Sequence, residues 1–405
     1  MKKKIMILGA GLYQVPLIET ARRLGLYTVV VSIPGAYRGF EIADRVYKID
    51  TRDQESILKA ATDENIYGIC TTGTDVAVRS IGYVCERMNL PGISLRASDI
   101  LCDKAKMKEA FLKGGVSCAK GKKAFHFHEA LQVAEELGYP VVVKRVDSSG
   151  SRGITVVNEK SQMREAYLHA REKTMRDYVL IEQFLRGIEI GVDGYVKNGR
   201  VCFIAPHGKF TFRSEQTTVP IGHFFPFQGG SGLLQDIRTQ IQLAVDASGL
   251  DNSCFNADVF VDGNHSYIIE MGGRCGATCI PELISSFYGF DYYQQILRGA
   301  LGEETRFPEQ AEHATPCMAK LLISPQSGIL TEVDNAKLDH LRSQGIRIQI
   351  DYPVGWRVHA VTDGTDRIGS VIADTQDEAV FNHILQEVQE CIRINGVSLG
   401  KLWNA

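Results

Sequence analysis

The sequence predicts an α/β domain with a parallel sheet, followed by α+β regions in which antiparallel strands carry helices. Three observations lead to this prediction. The first hundred residues alternate short apolar runs with segments of helical spacing, which is typical of βαβ units. The middle of the chain contains strand patterns joined by tight turns, as in antiparallel sheets. From about residue 315, several short strands precede one helix, which indicates a third, smaller α+β domain.

Length and composition limit the possible classes of protein. The chain has 405 residues and 44.8 kDa, enough for two or three domains. The formal net charge is −3 and the pI is near 6.4, so neither a nucleic-acid-binding surface nor a polybasic membrane surface is indicated. No apolar run approaches the roughly 20 residues of a membrane helix. Ten cysteines without a C-x-x-C pair indicate reduced thiols in a cytoplasmic protein.

The first region, residues 1–100, is predicted to begin with a buried strand. A signal peptide is less favoured, because Gly9 and Gly11 interrupt the apolar run that follows the first lysines. Pro91-Gly92 and the polar stretch Ser94–Asp99 indicate the end of the region. The predicted strands and helices alternate in the order Ile5–Leu8, Pro16–Leu24, Tyr27–Ser32, Val46–Ile49, Ile57–Ala61, Ile66–Thr71 and Val76–Met88.

The remaining elements follow from the same patterns. The second region is predicted to contain the helices and strands Glu129–Leu137, Pro140–Lys144, Ile154–Val157, Gln162–Lys173, Tyr178–Phe184, Glu189–Val196, Arg200–Ile204, Leu234–Ser248 and Phe255–Met271. Residues 206–230 are rich in Gly, Phe and Pro and have little periodicity, so we expect a functional or mobile loop there. The third region is predicted to run from strand Cys317–Ile323 to a helix at Asp377–Ile392.

A glycine motif follows the first predicted strand. Glycines at positions 9 and 11 would let the backbone approach a phosphate group. A dinucleotide fingerprint also needs a third glycine at position 14 and an acid at the end of the second strand, where this chain has Gln14 and Ser32. We therefore interpret the motif as a tight turn, and an NAD-dependent oxidoreductase is the less favoured alternative.

Two lysines and a loop of small residues indicate a phosphate-binding site. Lys104 opens a lysine-rich segment, and Lys144 ends a strand that leads into the loop Ser148–Gly153. Lysine charges that converge with free backbone N–H groups are suited to a triphosphate. On spacing alone, a solvated helix residue and a simple hairpin turn explain these residues equally well.

A pair of carboxylates suggests a cation site. Asp258 and Glu270 lie on two predicted strands that flank a turn at Asp262–His265. A three-residue loop would place the two acids directly opposite each other, with β-carbons about 5 Å apart, whereas a two-residue loop would put them on opposite faces. Carboxylates with phosphate co-ligands suit Mg²⁺. An exposed hairpin face carrying two acids is the alternative, and the uncharged residues around Glu270 disfavour it.

Three further charged residues are candidates for the same site. Arg274, four residues beyond Glu270, would neutralise charge on a transferred phosphoryl group, or would pair with Glu282 at the surface. Glu182 and Glu189 bracket a short segment and would serve an adenine edge and a ribose. Either acid alone is uninformative.

Taken in order, these motifs resemble the ATP-grasp superfamily over nearly the whole chain. The segments ILGAG, ETARRLG and VVVS are similar to the substrate-side domain of biotin carboxylase and of purine-pathway ligases. The resemblance implies a pre-ATP-grasp domain at residues 1–100 and a two-lobed ATP-grasp domain at 101–314, with its small lobe at about 118–185. A small C-terminal α+β domain would occupy residues 315–405.

The resemblance also implies roles for individual residues. Lys104 and Lys144 would contact the phosphates of ATP beneath the loop, and Glu182, Leu185 and Glu189 would contact adenine and ribose. The implied nucleotide-binding set is Lys104, Lys144, Ser148, Ser149, Gly150, Ser151, Gly153, Glu182, Leu185 and Glu189.

For the metal site the resemblance implies that Asp258 and Glu270 hold Mg²⁺, or Mn²⁺ in its place. Arg274 would steady an acyl-phosphate intermediate, and Lys144 would assist catalysis. Many members of the family carry Asn two residues after the second acid, where this chain has Gly272. One metal ligand is therefore missing, replaced by water, or supplied from elsewhere.

The activity implied is ligation. A small carboxylic acid would be activated by ATP as an acyl phosphate and joined to an amine, with release of ADP and phosphate. The segment Glu270–Ile280 is most similar to stand-alone ligases that join amino acids or related small acids. The likeness to phosphoribosylglycinamide synthetase and to segments of carbamoyl phosphate synthetase is looser. Alternatives are a bicarbonate-dependent carboxylase of the biotin carboxylase type and a non-catalytic ATP-binding module.

Expected partners are small-molecule carboxylates and amines, with no nucleic acid and no membrane. From family habit we expect a homodimer. An acceptor pocket would draw on the irregular 206–230 segment, with Arg213 and His223 as substrate-binding candidates beside His207 and Lys209. Arg274 is the third substrate-binding candidate. Arg213 has the better chemistry for a substrate carboxylate, because a guanidinium binds it in a bidentate manner.

Overall fold

The computed structural model describes residues 2–147, 153–172, 174–213, 218–309, 311 and 314–403. These residues form two compact units. The first unit comprises Met1–Ala205, Gln228–Gly276 and Tyr293–Phe307, and the second comprises Pro206–Phe227, Ala277–Tyr292 and Pro308–Ala405. The sequence-based division into three domains at residues 100 and 314 remains a prediction.

The first unit begins with a parallel sheet, as predicted. Its strands are β1 (Lys4–Leu8), β2 (Tyr27–Ser32), β3 (Arg45–Lys48) and β4 (Gly68–Cys70). They lie side by side in the order β3-β2-β1-β4, and the pairs for β1–β2, β1–β4 and β2–β3 are all parallel. Ile5–Leu8 and Val29–Val31 are fully buried, because both faces of a parallel sheet are covered.

Six helices accompany this sheet or follow it. They are α1 (Val15–Arg23), α2 (Arg38–Ile42), α3 (Gln54–Glu64), α4 (Val78–Met88), α5 (Leu95–Leu101) and α6 (Lys104–Lys113). The polar stretch 94–99 contains the N-cap residue and the first turns of α5. The Ser94 side chain accepts a hydrogen bond from the Ala97 N–H and caps this helix.

A small antiparallel sheet follows within the first unit. Its strands are β5 (Gly121–Ala124), β6 (Val141–Lys144), β7 (Ile154–Val157) and β8 (Val179–Gln183), in the order β5-β8-β6-β7. Helices α7 (Phe127–Leu137) and α8 (Met163–Arg171) bury their apolar faces with this sheet in one core, and a 3₁₀ turn at Lys160–Gln162 precedes α8. The predicted elements at 129–137, 140–144, 154–157 and 178–184 are confirmed to within a few residues.

The last sheet of the first unit carries the two candidate acids. Its strands are β9 (Ile188–Lys197), the start of β10 (Arg200–Arg213), β12 (Ser253–Asp262) and β13 (His265–Gly272), in the order β13-β12-β9-β10. Helix α9 (Ser231–Ser248) buries Leu233, Ile237, Ile241 and Val245. Helix α11 (Tyr292–Ala300) enters this unit at Tyr293.

The second unit contains two antiparallel sheets. The larger takes the rest of β10 with β11 (Thr218–Phe225), β14 (Cys317–Ile323), β18 (Arg367–Ala373) and β16 (Arg347–Ile350), in the order β10-β11-β14-β18-β16. The smaller has the order β17-β15-β19-β20, formed by β15 (Gly328–Val333), β17 (Arg357–Val358), β19 (Ile392–Ile394) and β20 (Val397–Ser398). The helices of the second unit are α10 (Ile280–Tyr288), α12 (Asn335–Ser343), α13 (Glu378–Glu390) and α14 (Leu399–Leu402). Within the described part of the chain, no helix has the length and apolar character to cross a membrane.

The prediction of an irregular loop at 206–230 is wrong. Strand β10 continues to Arg213 and pairs with β11 in antiparallel register. The glycines that suggested a loop allow close packing: a Cβ on Gly208 would lie 1.9 Å from the Phe224 ring, and one on Gly222 would lie 2.1 Å from the Ala319 carbonyl oxygen. Pro220 lies beside a register shift in the same pair, a position where a sheet tolerates proline.

Candidate active site

Asp258 and Glu270 are direct partners in the β12–β13 register. The expected three-residue loop is wrong, because Asp262 pairs with His265 and only two residues form the turn. Gly263, with φ +57°, occupies the first central position, as in a type II′ hairpin turn. The register then shifts between Asp258 and Val259, so a β-bulge with one extra residue on β13 returns the two acids to one face.

Helix α6 carries Lys104 to this hairpin. The buried side chain of Asp103 caps the helix by accepting hydrogen bonds from the N–H groups of Ala105 and Lys106 at 3.0 and 3.2 Å. One turn further along, the Met271 N–H donates to the Met107 sulfur at 3.3 Å and ties the helix to β13. Lys104 consequently forms an ion pair with Glu270, and its side chain is only 12% exposed.

We call Lys104, Asp258 and Glu270 the hairpin cluster. Burial works to lower the pKa of Lys104, but nearby carboxylates outweigh it and hold this pKa above its ordinary value. The carboxylates responsible are Glu270, Asp75 and Asp258. The lysine therefore stays charged in a region that holds more carboxylates than ammonium groups.

Lys144 takes part in a second cluster. The Lys104 N–H donates to the Val146 carbonyl oxygen at 3.0 Å, so the start of α6 lies beside the end of β6. Lys144 forms an ion pair with Glu182, and Lys108 pairs with the other oxygen of the same carboxylate at 2.9 Å. We call Lys108, Lys144 and Glu182 the Glu182 cluster.

The Glu182 carboxylate is stabilised in its charged form. Burial alone would raise its pKa, but the ammonium groups of Lys144 and Lys108 hold the pKa of Glu182 below its ordinary value. The side chains of Lys108 and Glu182 are each only 3% exposed. Sequence reasoning missed Lys108, although its spacing of four from Lys104 places both lysines on one face of a helix.

Other predicted nucleotide contacts are placed as follows. Glu182 lies within β8, opposite Gly121 and Val142. Leu185 is half-buried, and Glu189 is exposed on β9 opposite Phe260. The roles assigned to these residues remain predictions.

The small-residue loop is described only at its end. Ser148, Ser149, Gly150 and Ser151 lie outside the described residues. The Gly153 carbonyl oxygen accepts a hydrogen bond from the Arg145 N–H at 2.8 Å. Gly153 has φ +71°, a conformation that favours glycine.

Arg274 is held by three acceptors. Its guanidinium donates from Nη2 to the Asp75 carboxylate at 2.8 Å, and from Nη1 to the Asn256 amide oxygen at 2.9 Å and the Cys275 carbonyl oxygen at 3.2 Å. Asn256 in turn donates to Asp193 at 2.7 Å. Burial acts against the charged guanidinium, yet the neighbouring Asp75 carboxylate leaves the pKa of Arg274 raised. The alternative of a surface residue is wrong, because the Arg274 side chain is only 14% exposed and pairs with Asp75.

The Gly9–Gly11 segment forms a tight turn that is filled by its own chain. The Gly11 N–H donates to the Gln14 side-chain oxygen at 3.1 Å, and the Gln14 amide donates to the Thr72 carbonyl oxygen. A Cβ on Gly9 would lie 2.8 Å from the Gln14 side chain. The glutamine thus takes the place where a dinucleotide fingerprint has glycine, in agreement with the interpretation as a turn.

The acceptor-pocket candidates belong to the second unit. His207 and His223 are buried on β10 and β11, with ring centroids 4.7 Å apart and planes at 88°. Burial is the main reason why the pKa of His223 lies well below its ordinary value, and the neighbouring His207 and Lys209 lower it further. Arg213 is exposed at the end of β10. Substrate binding by Arg213 and His223 remains a prediction.

Comparisons with known sequences match one family model and several curated proteins. The family model for the ATP-binding domain of the carbamoyl-phosphate synthase L chain matches residues 103–195. An uncharacterized protein of Sinorhizobium fredii, y4rH, is 25% identical over 390 residues, covering 93% of this chain and 79% of that protein. The arginine-specific carbamoyl phosphate synthase large chain of Bacillus subtilis is 25% identical over 296 residues, 68% of this chain but only 28% of that protein.

Solved structures match over nearly the full length. Phosphoribosylglycinamide synthetase from Anaerococcus prevotii gives a TM-score of 0.81 at 30% identity, covering 97% of this chain and 99% of that chain. L-amino acid ligase from Bacillus licheniformis gives a TM-score of 0.79 at 18% identity, with 97% and 98% covered. The biotin carboxylase domain of Hydrogenobacter thermophilus 2-oxoglutarate carboxylase, solved with MgADP and bicarbonate, gives 0.78 at 19% identity, with 100% and 94% covered.

Fold and relatives together define an ATP-dependent ligase of the ADP-forming class. With 30% identity to a solved relative that it covers almost completely, the chain belongs to the ATP-grasp superfamily. The family resemblance and the mixed α/β fold inferred from the sequence are both confirmed.

Proposed function

We propose that this protein is an ATP- and Mg²⁺-dependent carboxylate–amine ligase. Ligation with formation of ADP is the activity of its family. The observation that carries the proposal for this chain is the hairpin cluster, in which Asp258 and Glu270 face each other and Lys104 pairs with Glu270. Two carboxylates and an ammonium group beside a second cluster with excess positive charge form a suitable site for a metal triphosphate.

The donor set fits Mg²⁺. Asp258 and Glu270 supply only oxygen ligands, and Mg²⁺ is usually held by one or two carboxylates together with substrate phosphates and water. Among the described residues, no group of three His, Cys, Asp or Glu side chains is arranged to hold a metal alone. Bound there, Mg²⁺ would neutralise charge on the transferred phosphoryl group; Mn²⁺ has the same ligand preferences.

Nucleotide binding is assigned to the first unit. Lys104 and Lys144 contact the phosphates, with Lys144 turning from Glu182 towards the nucleotide. We assign phosphate binding also to Gly153 and to Ser148, Ser149, Gly150 and Ser151, which lie outside the described residues. Glu182 and Leu185 contact adenine, and Glu189 contacts the ribose. The support for these roles is the convergence of α6 and β6 at the Lys104–Val146 hydrogen bond.

The proposed reaction has two steps. A substrate carboxylate oxygen attacks the γ-phosphorus of ATP, the bond to the bridging oxygen breaks, and ADP leaves with that electron pair. The amine nitrogen then attacks the acyl carbon, the bond to the phosphate oxygen breaks, and nitrogen loses a proton. Arg274 donates to the acyl phosphate and to the oxyanion of the second step, while Lys144 stabilises the transferred charge.

The substrates and the setting complete the proposal. We assign the substrates to small carboxylic acids and amines, with Arg213 and His223 as candidate contacts in the second unit. We further propose a cytoplasmic homodimer that uses neither nucleic acid nor membrane. A dimer is described for the Hydrogenobacter biotin carboxylase domain.

Phosphate release from MgATP tests the function. The protein is assayed with pooled amino acids and small carboxylic acids, beside Glu270→Ala and the control Glu303→Ala, which alters an exposed pair with Lys3. We expect one pool to stimulate release in the wild type and in Glu303→Ala, and not in Glu270→Ala. Release with bicarbonate alone would instead establish a carboxylase. ATP binding without turnover in any pool would establish a nucleotide-binding module.

A further inference from the structure

Gly272 leaves a gap beside the hairpin cluster that another residue fills. It lies two positions beyond Glu270 on β13 and opposite Asn256, so a side chain there would point to the same face as the two acids. A Cβ at this position would lie 2.8 Å from the Asp75 carboxylate oxygen Oδ1. The carboxylate of Asp75 therefore occupies the space that any larger residue at 272 would need.

Hydrogen bonds to its backbone and its side chain hold Asp75 beside Gly272. It lies in the segment between β4 and α4, where its carbonyl oxygen accepts hydrogen bonds from the Val78 N–H at 3.1 Å and the Cys102 thiol at 3.7 Å. Its side chain is 29% exposed, and Oδ2 accepts from Arg274 Nη2 at 2.8 Å. One oxygen thus points to Gly272 and the other holds the arginine.

The Nε donor of Arg274 is not used by the hydrogen bonds described above. Nη1 and Nη2 are both bound to protein acceptors, whereas Nε is buried and finds no hydrogen-bond partner among the residues that the structure describes. A buried donor without a partner calls for an explanation, because leaving it unsatisfied is costly. Nε lies 3.7 Å from the Cβ position of Gly272, on the side of the hairpin that carries the acids.

We propose that Asp75 is a positioning residue of the ligase. Its carboxylate holds Arg274 so that the Nε donor faces the phosphoryl oxygen it must bind, and the absence of a side chain at Gly272 makes this contact possible. The proposal rests on the proposed function, since it assigns Arg274 to the phosphoryl group. Asp75 also adds negative charge near an anion, so its benefit lies in orientation and not in attraction.

The test separates orientation from charge. Inorganic phosphate is titrated into protein saturated with MgADP, and binding is followed through the rise in unfolding temperature. We expect Asp75→Ala to weaken phosphate binding about tenfold, the worth of one hydrogen bond to a charged group. Asp75→Asn keeps an acceptor for Arg274 and should stay close to the wild type. MgADP affinity should be unchanged in both variants.

Gly272→Ala approaches the same contact from the other side. Its Cβ would displace Asp75, so phosphate binding should weaken as in Asp75→Ala, and the double variant should be no worse than either single one. Asp50→Ala, at an exposed pair with Arg52, is the matched control. Equal or tighter phosphate binding in Asp75→Ala, or additive losses in the double variant, would overturn the inference. If the wild type bound no MgADP, the proposed function itself would fail.

Discussion

The first unit contains two clusters of lysine and carboxylate side chains with opposite charge imbalances. The Glu182 cluster contains one buried carboxylate and two ammonium groups. The hairpin cluster contains two carboxylates and one ammonium group. The first has an excess positive charge suited to phosphate, and the second an excess negative charge suited to a cation. A metal triphosphate would satisfy both at once, so the difference between the clusters indicates the ligand more specifically than either does alone.

The largest effect is expected from removing the shared carboxylate. Glu182→Ala leaves Lys108 and Lys144 without a counter-charge, and breaking a buried ion pair in this way costs about 3–5 kcal/mol. The free energy of unfolding, measured with denaturant, should fall by this amount. Glu136→Ala, at an exposed pair with Lys122, should cost less than about 1 kcal/mol. Equal losses in the two variants would contradict the importance of the Glu182 cluster.

The next prediction separates the two lysines that share Glu182. Lys144→Met should weaken ATP binding by roughly tenfold to a hundredfold, because a charged contact to phosphate is lost. Lys108→Met should lower the stability and leave ATP affinity within a few-fold of the wild type, since this more deeply buried lysine serves the carboxylate. Calorimetric titration with MgATP checks both variants. A similar loss of affinity in both would assign phosphate binding to the cluster as a whole.

A smaller change is expected in the hairpin cluster. The Lys104 ammonium pairs with Glu270, so we expect it to compete with a metal for the carboxylates. Lys104→Met should therefore strengthen the binding of free Mn²⁺ by roughly threefold to tenfold, measured by electron paramagnetic resonance. Lys106→Met, which removes the neighbouring lysine that pairs with Asp99, is the control. No difference between the two variants would show that Lys104 does not compete for this site.

Residue type and order predicted much of this fold. The alternation of Ile5–Leu8, Tyr27–Ser32 and their helices fixes a parallel sheet, because apolar strands with helical crossovers have few other arrangements. The acid pair was recognised from the hairpin pattern, and the uncharged residues around Glu270 favoured a buried site over an exposed hairpin face. At β10–β11 the same reasoning failed, because Gly208 and Gly222 are there for close packing and not for a turn.

The contacts that complete the site could not be predicted from local sequence patterns. Asp75 and Arg274 are almost two hundred positions apart in the sequence, and the residues around Asp75 form no pattern that predicts their contact. Lys108 was accessible through its spacing from Lys104, but its partner Glu182 lies on a distant strand. The β12–β13 register could not be predicted either. The length of the turn and the bulge each shift the pairing by one residue, and Glu270 lies opposite Asp258 only because both occur.

The bulge in this hairpin bears on how relatives are recognised. One extra residue on β13 restores the pairing of Asp258 with Glu270, so a chain without that residue would present the same two carboxylates one position closer together in sequence. A bulge in this stretch offsets a one-residue difference in the length of the turn. A search pattern for this site should therefore fix the two carboxylates and leave the interval between them free by one residue.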